Sequence, residues 1–160
     1  MAARSNLNRP EWEERRQPEG FGSRRARLGR QAGCREIGIT LFELPSGEAA
    51  YPYHWHLAEE ELLVVLYGAP RLRTPAGWED LEQGDVVSFP VGEEGAHQLL
   101  NSTKETVRFL AVSNQLTEVV VYPDSGKLGA FDDRPDGHGL RHLFRIEDQV
   151  GYWEGEEPPG

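Results

Sequence analysis

Between residues 37 and 122 the chain never runs far without a turn signal. The β-favouring segments "IGITLFEL", "ELLVVLY", "RLRT", "DVVSF", "TVRFLAVS" and "EVVVY" are separated by stretches rich in Gly, Pro, Asp and Ser, such as "PSGEA", "PAGWED" and "PVGEEGA". Branched and aromatic residues suit strands, and turn residues set their ends, so the pattern predicts seven or eight short strands. No segment has the length and period of a buried crossover helix, which disfavours a parallel α/β sheet. The expected fold is all-β, a sandwich or barrel. "LLVVL" and "RFLAV" are apolar at successive positions, so both faces of those strands need cover. A partner subunit packed on the outside, giving a homodimer, is the expected source.

Composition agrees. With 18 glycines, 11 prolines and 38% hydrophobic residues among 160, the chain suits one domain of short strands. Cys34 is the single cysteine, so no intrachain disulfide can form. The first residues, "MAARSNLNRPEWEERRQ", lack the apolar stretch of a signal peptide, and no apolar run approaches the roughly 20 residues of a membrane span. A cytoplasmic protein with no membrane partner is expected, in which the sequon Asn101-Ser102-Thr103 has no reason to be used.

The net charge of −10 argues against nucleic acid, which is held by clustered Lys and Arg. That charge is unevenly spread: residues 1 to 33 carry eight arginines against four glutamates, leaving −14 for the rest. The expected organisation is a basic N-terminal arm over 1–32, a barrel over 33–122 and a C-terminal extension over 123–160 packed on the barrel. The arm should lie on an acidic surface of its own or a partner subunit, with a short helical turn at "PEWEERR". In the extension, Tyr152 and Trp153 should lie over the barrel, because both are poor residues to leave in water.

The chemistry concentrates in "HWHLAEEE", residues 54 to 61. Residues two apart on a strand share a face, so His54 and His56 reach one interior point while Trp55 turns away. A carboxylate beyond the bend at "LAEE" can swing back toward them. The spacing Gly47, His54, His56, Glu61, Gly68 resembles the first motif of the cupin superfamily, with one extra residue before His54. Gly84, Pro90, Gly92, His97 and Asn101 resemble the second, with two extra residues before His97. The resemblance spans about residues 37 to 122 and implies a jelly-roll β-barrel in which His54, His56, Glu61 and His97 converge on one divalent transition metal. Three imidazoles and one carboxylate suit Fe, Mn, Ni, Co or Zn and leave positions for substrate, water or dioxygen.

Other residues have weaker claims. Glu59 and Glu60 read as solvent-facing turn residues, with a base that orients a ligand imidazole as the alternative. Arg71 and Arg73 share a face and, if it is the interior one, would anchor a carboxylate or phosphate; the alternative is outward solvation. Tyr51 and Tyr53 read as packing residues, and "PDSG" as a turn or a loop closing over the barrel mouth. His138 and His142 stand four apart, but the glycines around them disfavour a helix. The expected function is an enzyme acting on a small oxygen-rich molecule (a sugar, sugar phosphate or organic acid) by isomerase, lyase or dioxygenase chemistry. The alternative is a non-catalytic module that binds or senses such a ligand.

Overall fold

Every β-favouring segment of the central region forms a strand in the computed structural model, which describes all residues except 1–2, 15, 133, 135, 138 and 159–160. In chain order these are β2 (Ile37–Leu44), β3 (Trp55–His56), β4 (Glu61–Tyr67), β5 (Arg71–Thr74), β6 (Gly77–Asp80), β7 (Val86–Phe89), β8 (Gln98–Leu100), β9 (Val107–Asn114) and β10 (Glu118–Tyr122). The terminal regions add β1 (Arg24–Arg27), the single-turn helix α1 (Leu28–Gln31), β11 (Lys127–Phe131) and β12 (Arg141–Arg145). All pairings are antiparallel, in sheets ordered β1-β2-β9-β4-β7, β12-β11-β10-β3 and β6-β5-β8. The result is an all-β jelly-roll barrel.

Strand alternation sorts the apolar residues into two cores. Phe42, Leu44, Leu63, Val65, Val107 and Phe109 turn inward and pack with Leu72, Leu81, Phe89 and Leu99. Phe42 and Phe109 stack with ring centroids 4.8 Å apart. The opposite face of the same sheet presents Leu41, Leu66 and Leu110, and here the chain covers itself: Ala26, Leu28 and Trp12 of the arm pack on them. The consecutive apolar runs are thus explained within one chain, by an arm that lies across its own barrel. The described residues of "PEWEERR" are not helical. Glu13 instead donates its backbone N–H to Arg25 O, which ties this stretch alongside β1.

The motif glycines make the turns. Gly68 ends β4 at φ 87°, where a Cβ would meet Val107 Cγ2 at 2.9 Å, so this position needs glycine for both its backbone and its neighbour. Asn101 is fully buried; its amide donates to Leu44 O and Glu105 O, at 2.8 and 2.7 Å. The side chain of the sequon is therefore consumed in holding the turn after β8.

The end of the C-terminal extension differs from expectation. Tyr152 and Trp153 are 85% and 76% exposed and touch each other edge to face. Leu143, Phe144, Ile146 and Val150 are exposed as well. The barrel's outer apolar face is already occupied by the arm. Among the described residues no helix is long and apolar enough to cross a membrane.

Candidate metal centre and its cavity

The two motifs meet at a backbone bridge. His54 N–H donates to His97 O at 3.2 Å and His97 N–H to His54 O at 2.9 Å, which puts the two imidazoles side by side with centroids 4.6 Å apart. Gly92 N–H donates to His56 O at 2.7 Å, locking the second motif's loop to the first. The two additional residues before His97 are absorbed in a short 3-10 turn, Glu93–Gly95, without displacing the histidine. Phe89 stacks on His97 at 3.8 Å and Tyr51 meets both His54 and His97 edge-on. Tyr51 is thus a packing residue of the site itself, and burial, with the charge of Glu61, pushes its phenol well above the usual range.

Glu61 opens β4, between Phe89 of β7 and Ser113 of β9. Its Oε2 lies 3.2 Å from His56 Nε2 and 3.1 Å from His97 Nε2. The protonation of the ring nitrogens makes these short distances informative. His97 Nδ1 is 2.9 Å from Gly95 O and His54 Nδ1 is 2.8 Å from Pro52 O. A carbonyl only accepts, so both Nδ1 atoms carry hydrogen, and in the neutral rings both Nε2 atoms present lone pairs. A lone pair facing a carboxylate oxygen at 3.1 Å needs a cation or a proton between them. His56 sharpens the point, because among the described residues neither of its buried ring nitrogens finds an aligned hydrogen bond.

Each of His54, His56 and Glu61 offers a donor atom within 4.8 Å of the others, and His97 joins through Glu61. Nδ1 hydrogen bonds to carbonyls are the usual way of orienting a metal-binding imidazole. The donor set therefore fits a divalent transition metal. Desolvation, reinforced by the neighbouring imidazoles, lowers His54 to about 3, keeping it neutral. Burial also pushes His56 down, but the carboxylate of Glu61 beside it, with Glu118 and Glu59, outweighs this and raises the group. Burial would raise Glu61, yet the imidazoles of His56 and His97 beside its carboxylate outweigh this and hold it well below the carboxylate range.

Glu118 is the residue that sequence reasoning missed. It is 4% exposed at the start of β10, and its carboxylate accepts the backbone N–H groups of Leu57, Ala58 and Glu59. These donors form the bend that returns the chain from His56 to Glu61, so one buried carboxylate shapes the spacing of two candidate ligands. An acid opening the otherwise apolar "EVVVY" was the available signal. Glu59 borders the cavity and accepts from Leu116 N–H at 2.9 Å, whereas Glu60 is exposed. Burial, against the Leu116 N–H and His56, raises Glu59.

The other candidates fall elsewhere. Arg71 pairs with Asp80 at 3.0 Å, and Arg73 makes a two-pronged contact with Asp124 at 2.6 and 3.0 Å while lying over the Tyr53 ring. Neither borders the cavity above the histidines. The "PDSG" segment is a 3-10 turn, Pro123–Ser125, closed by Gly126 and held to β5 by that Arg73 contact. His142 is exposed on β12, and His138 lies outside the described residues.

His54, His56 and Glu61 line a cavity of ≈250 Å³, with His97 buried behind them. This is below the roughly 300–1,000 Å³ typical of drug-sized ligands and suits a small metabolite.

Residues 40–113 match the family model described as a cupin domain. No curated protein sequence matches the chain. A solved structure from Acidithiobacillus ferrooxidans, of a protein provisionally named a sugar phosphate isomerase, is 30% identical over 80% of each chain, with a TM-score of 0.70. A sugar phosphate isomerase of the cupin superfamily from Silicibacter pomeroyi is 25% identical over 89% of this chain and 92% of that one, with a TM-score of 0.78. The polyketide cyclase RemF from Streptomyces resistomycificus shares the fold, with a TM-score of 0.60 at 24% identity over 87% of this chain and 85% of its own.

Proposed function

Since the chain belongs to the cupin superfamily, we propose that it is a metal-dependent enzyme that isomerises a small, oxygen-rich molecule of the sugar class. The observation that carries this reading is the pair of imidazole Nε2 atoms aimed at one Glu61 oxygen on the floor of a metabolite-sized cavity. The likeness to two proteins named as sugar phosphate isomerases supports the reaction class.

In this reading His54, His56, His97 and Glu61 hold one divalent metal, which when bound supplies a Lewis acid toward carbonyl and hydroxyl oxygens. The chain's own residues do the rest. Pro52 O and Gly95 O fix the tautomers of His54 and His97, so that Nε2 is the donor in each ring. Glu118 holds the bend that brings Glu61 back beside His56. Glu59, on the cavity wall, carries the proton between neighbouring carbons of the substrate, with the Leu116 N–H steadying one of its oxygens. Phe89 and Tyr51 pack against the imidazoles and keep water from that side.

The test is incubation with ketose and aldose sugars, their phosphates and small hydroxy acids in deuterated water. Products and deuterium incorporation are read by NMR, with and without dioxygen. Isomerisation with exchange at the carbon beside the carbonyl is expected, abolished in Glu61→Gln and reduced at least tenfold in Glu59→Gln. Molecules that bind the metal-loaded protein but return unchanged and unexchanged would identify a binding module instead.

A further inference from the structure

Several charged groups on the cavity wall are already engaged. Arg25 and Arg27 of β1 face inward because they pair with Phe42 and Thr40 of β2, and Glu13 holds them at 2.6 and 3.0 Å. Glu59 accepts from Leu116 N–H, and Glu118 accepts from the bend that follows His56. Tyr122 is different. It lines the same cavity, half-buried, and among the described residues its hydroxyl has no hydrogen-bond partner. A phenol that packs its ring and leaves its O–H unpaired at a cavity is a donor waiting for a ligand oxygen.

Strand register fixes where this phenol stands. Glu118, Val120 and Tyr122 alternate along β10, and all three line the cavity. β3 runs antiparallel beside them with His56 opposite Val120, so the next place on the same face sets His54 opposite Tyr122. The rings agree, stacked at 25° with centroids 5.9 Å apart. On β11, Lys127 pairs with Tyr122, and its Nζ lies 5.6 Å from the ring centroid. Gly129 of the same strand leaves room for two aromatic rings: a Cβ there would come within 2.5 Å of Phe131 and 3.4 Å of Tyr122. Glu59 stands at the other end of the row, beside Glu118 and Leu116. Glu118 and Tyr122 are four residues apart, about 13 Å of strand, so Glu59 and the phenol flank His54 and His56 from opposite ends.

We propose that Tyr122 is a catalytic residue of the isomerisation: its O–H donates a hydrogen bond to the substrate oxygen that gains negative charge as Glu59 removes the neighbouring proton. The inference rests on the isomerase reading given above. In that step the C–H bond breaks toward Glu59, its electron pair forms the C=C bond of an enediolate, and the carbonyl pair moves onto oxygen. The remaining hydroxyl proton then passes between the substrate's two oxygens, and Glu59 returns its proton to the other carbon. The phenol keeps its hydrogen throughout, as a group that ordinarily titrates at about pH 10 can. Such a donor accelerates the reaction because the oxygen carries more charge in the transition state than in the carbonyl compound.

Tyr122→Phe removes the hydroxyl and keeps the ring, so melting temperature and metal content should match the wild type. For a sugar that the wild type isomerises, kcat should fall about 100- to 1,000-fold while KM changes by less than about threefold. Calorimetric titration of the metal-loaded proteins gives a second reading. Erythronohydroxamate, which mimics a four-carbon enediolate, should bind the variant at least about tenfold more weakly than the wild type, whereas the ketose erythrulose should bind both alike. A kcat within about threefold of wild type, a hydroxamate bound equally by both proteins or by neither, or a variant that loses its metal would overturn the proposal. Tyr122-dependent hydroxamate binding in a protein that neither isomerises nor exchanges any sugar supports the phenol as the donor to an anionic oxygen and counts against the isomerase reading alone.

Discussion

Replacing Glu118 by Ala should damage the protein in two separable ways. The carboxylate accepts from Leu57 N–H at 2.9 Å, from Ala58 N–H at 3.2 and 3.3 Å, and from Glu59 N–H. Hydrogen bonds to a charged acceptor contribute about 1.5–3 kcal/mol each, so three donors set a ceiling of about 5–9 kcal/mol. The bend is not sealed: Leu57 is 51% exposed, so water can reach much of what the carboxylate leaves. An expected loss of about 3 kcal/mol follows when most, though not all, of the donors are re-solvated. Because the bend sets Glu61 beside His56, metal affinity should also fall about 10- to 100-fold, as for other residues that orient ligands. Urea unfolding of the metal-free protein reads the first effect and chelator competition reads the second. Glu118→Gln, which keeps the volume but turns an amide NH2 toward backbone donors, should fall between wild type and Ala. An Ala variant within about 0.5 kcal/mol of wild type, with unchanged metal affinity, would refute the role given to this carboxylate.

Three further outcomes are expected. His54 is lowered to about 3 by burial, so the unfolded chain takes up its proton below 6.5 while the folded one does not. The metal-free protein should therefore lose about 1.4 kcal/mol from this group by pH 5.5, offset in part by the raised His56, and urea titrations should show a shallower acid slope in His54→Gln than in wild type. An identical slope would contradict the assignment. Trp12→Ala removes a half-buried ring from the outer core and should cost about 2 kcal/mol in the same assay, roughly half the value for a fully buried Trp. The exposed Leu143, Phe144, Ile146, Tyr152 and Trp153 motivate a homodimer through the C-terminal extension, so sedimentation should give twice 18.0 kDa, and charged substitutions at Phe144 and Trp153 should yield monomers.

The strands were legible because their signals are local. "IGITLFEL", "ELLVVLY", "RLRT" and "EVVVY" coincide with β2, β4, β5 and β10, each bounded by residues that break pairing. The four candidate ligands were legible because parity places His54 and His56 on one face and the motif spacing selects Glu61 and His97. What covers a strand's second face is not local. Successive apolar residues require cover, but Trp12 and Ala26 of the arm supply it as well as a partner would, and only three-dimensional packing distinguishes them. The same limit hid Glu118, whose partners are some 60 residues away in sequence. It also hid the inward direction of Arg25 and Arg27, which follows from pairing with β2 and from nothing in the arm's own composition. Arg71 and Arg73 show the converse: parity correctly gave them a shared face, but their partners, Asp80 and Asp124, decide that it is not the cavity's.

The central claim is that His54, His56, Glu61 and His97 hold one metal ion, and elemental analysis of protein purified from metal-replete cells tests it most directly. About one divalent transition metal per chain is expected in the wild type, as three imidazoles and a carboxylate form a complete donor set. His56→Ala and His97→Ala should each lose most of it while retaining the barrel's strand signal in circular dichroism. Full occupancy in both variants, or a wild-type protein that neither carries metal nor takes it up on reconstitution, would contradict the account.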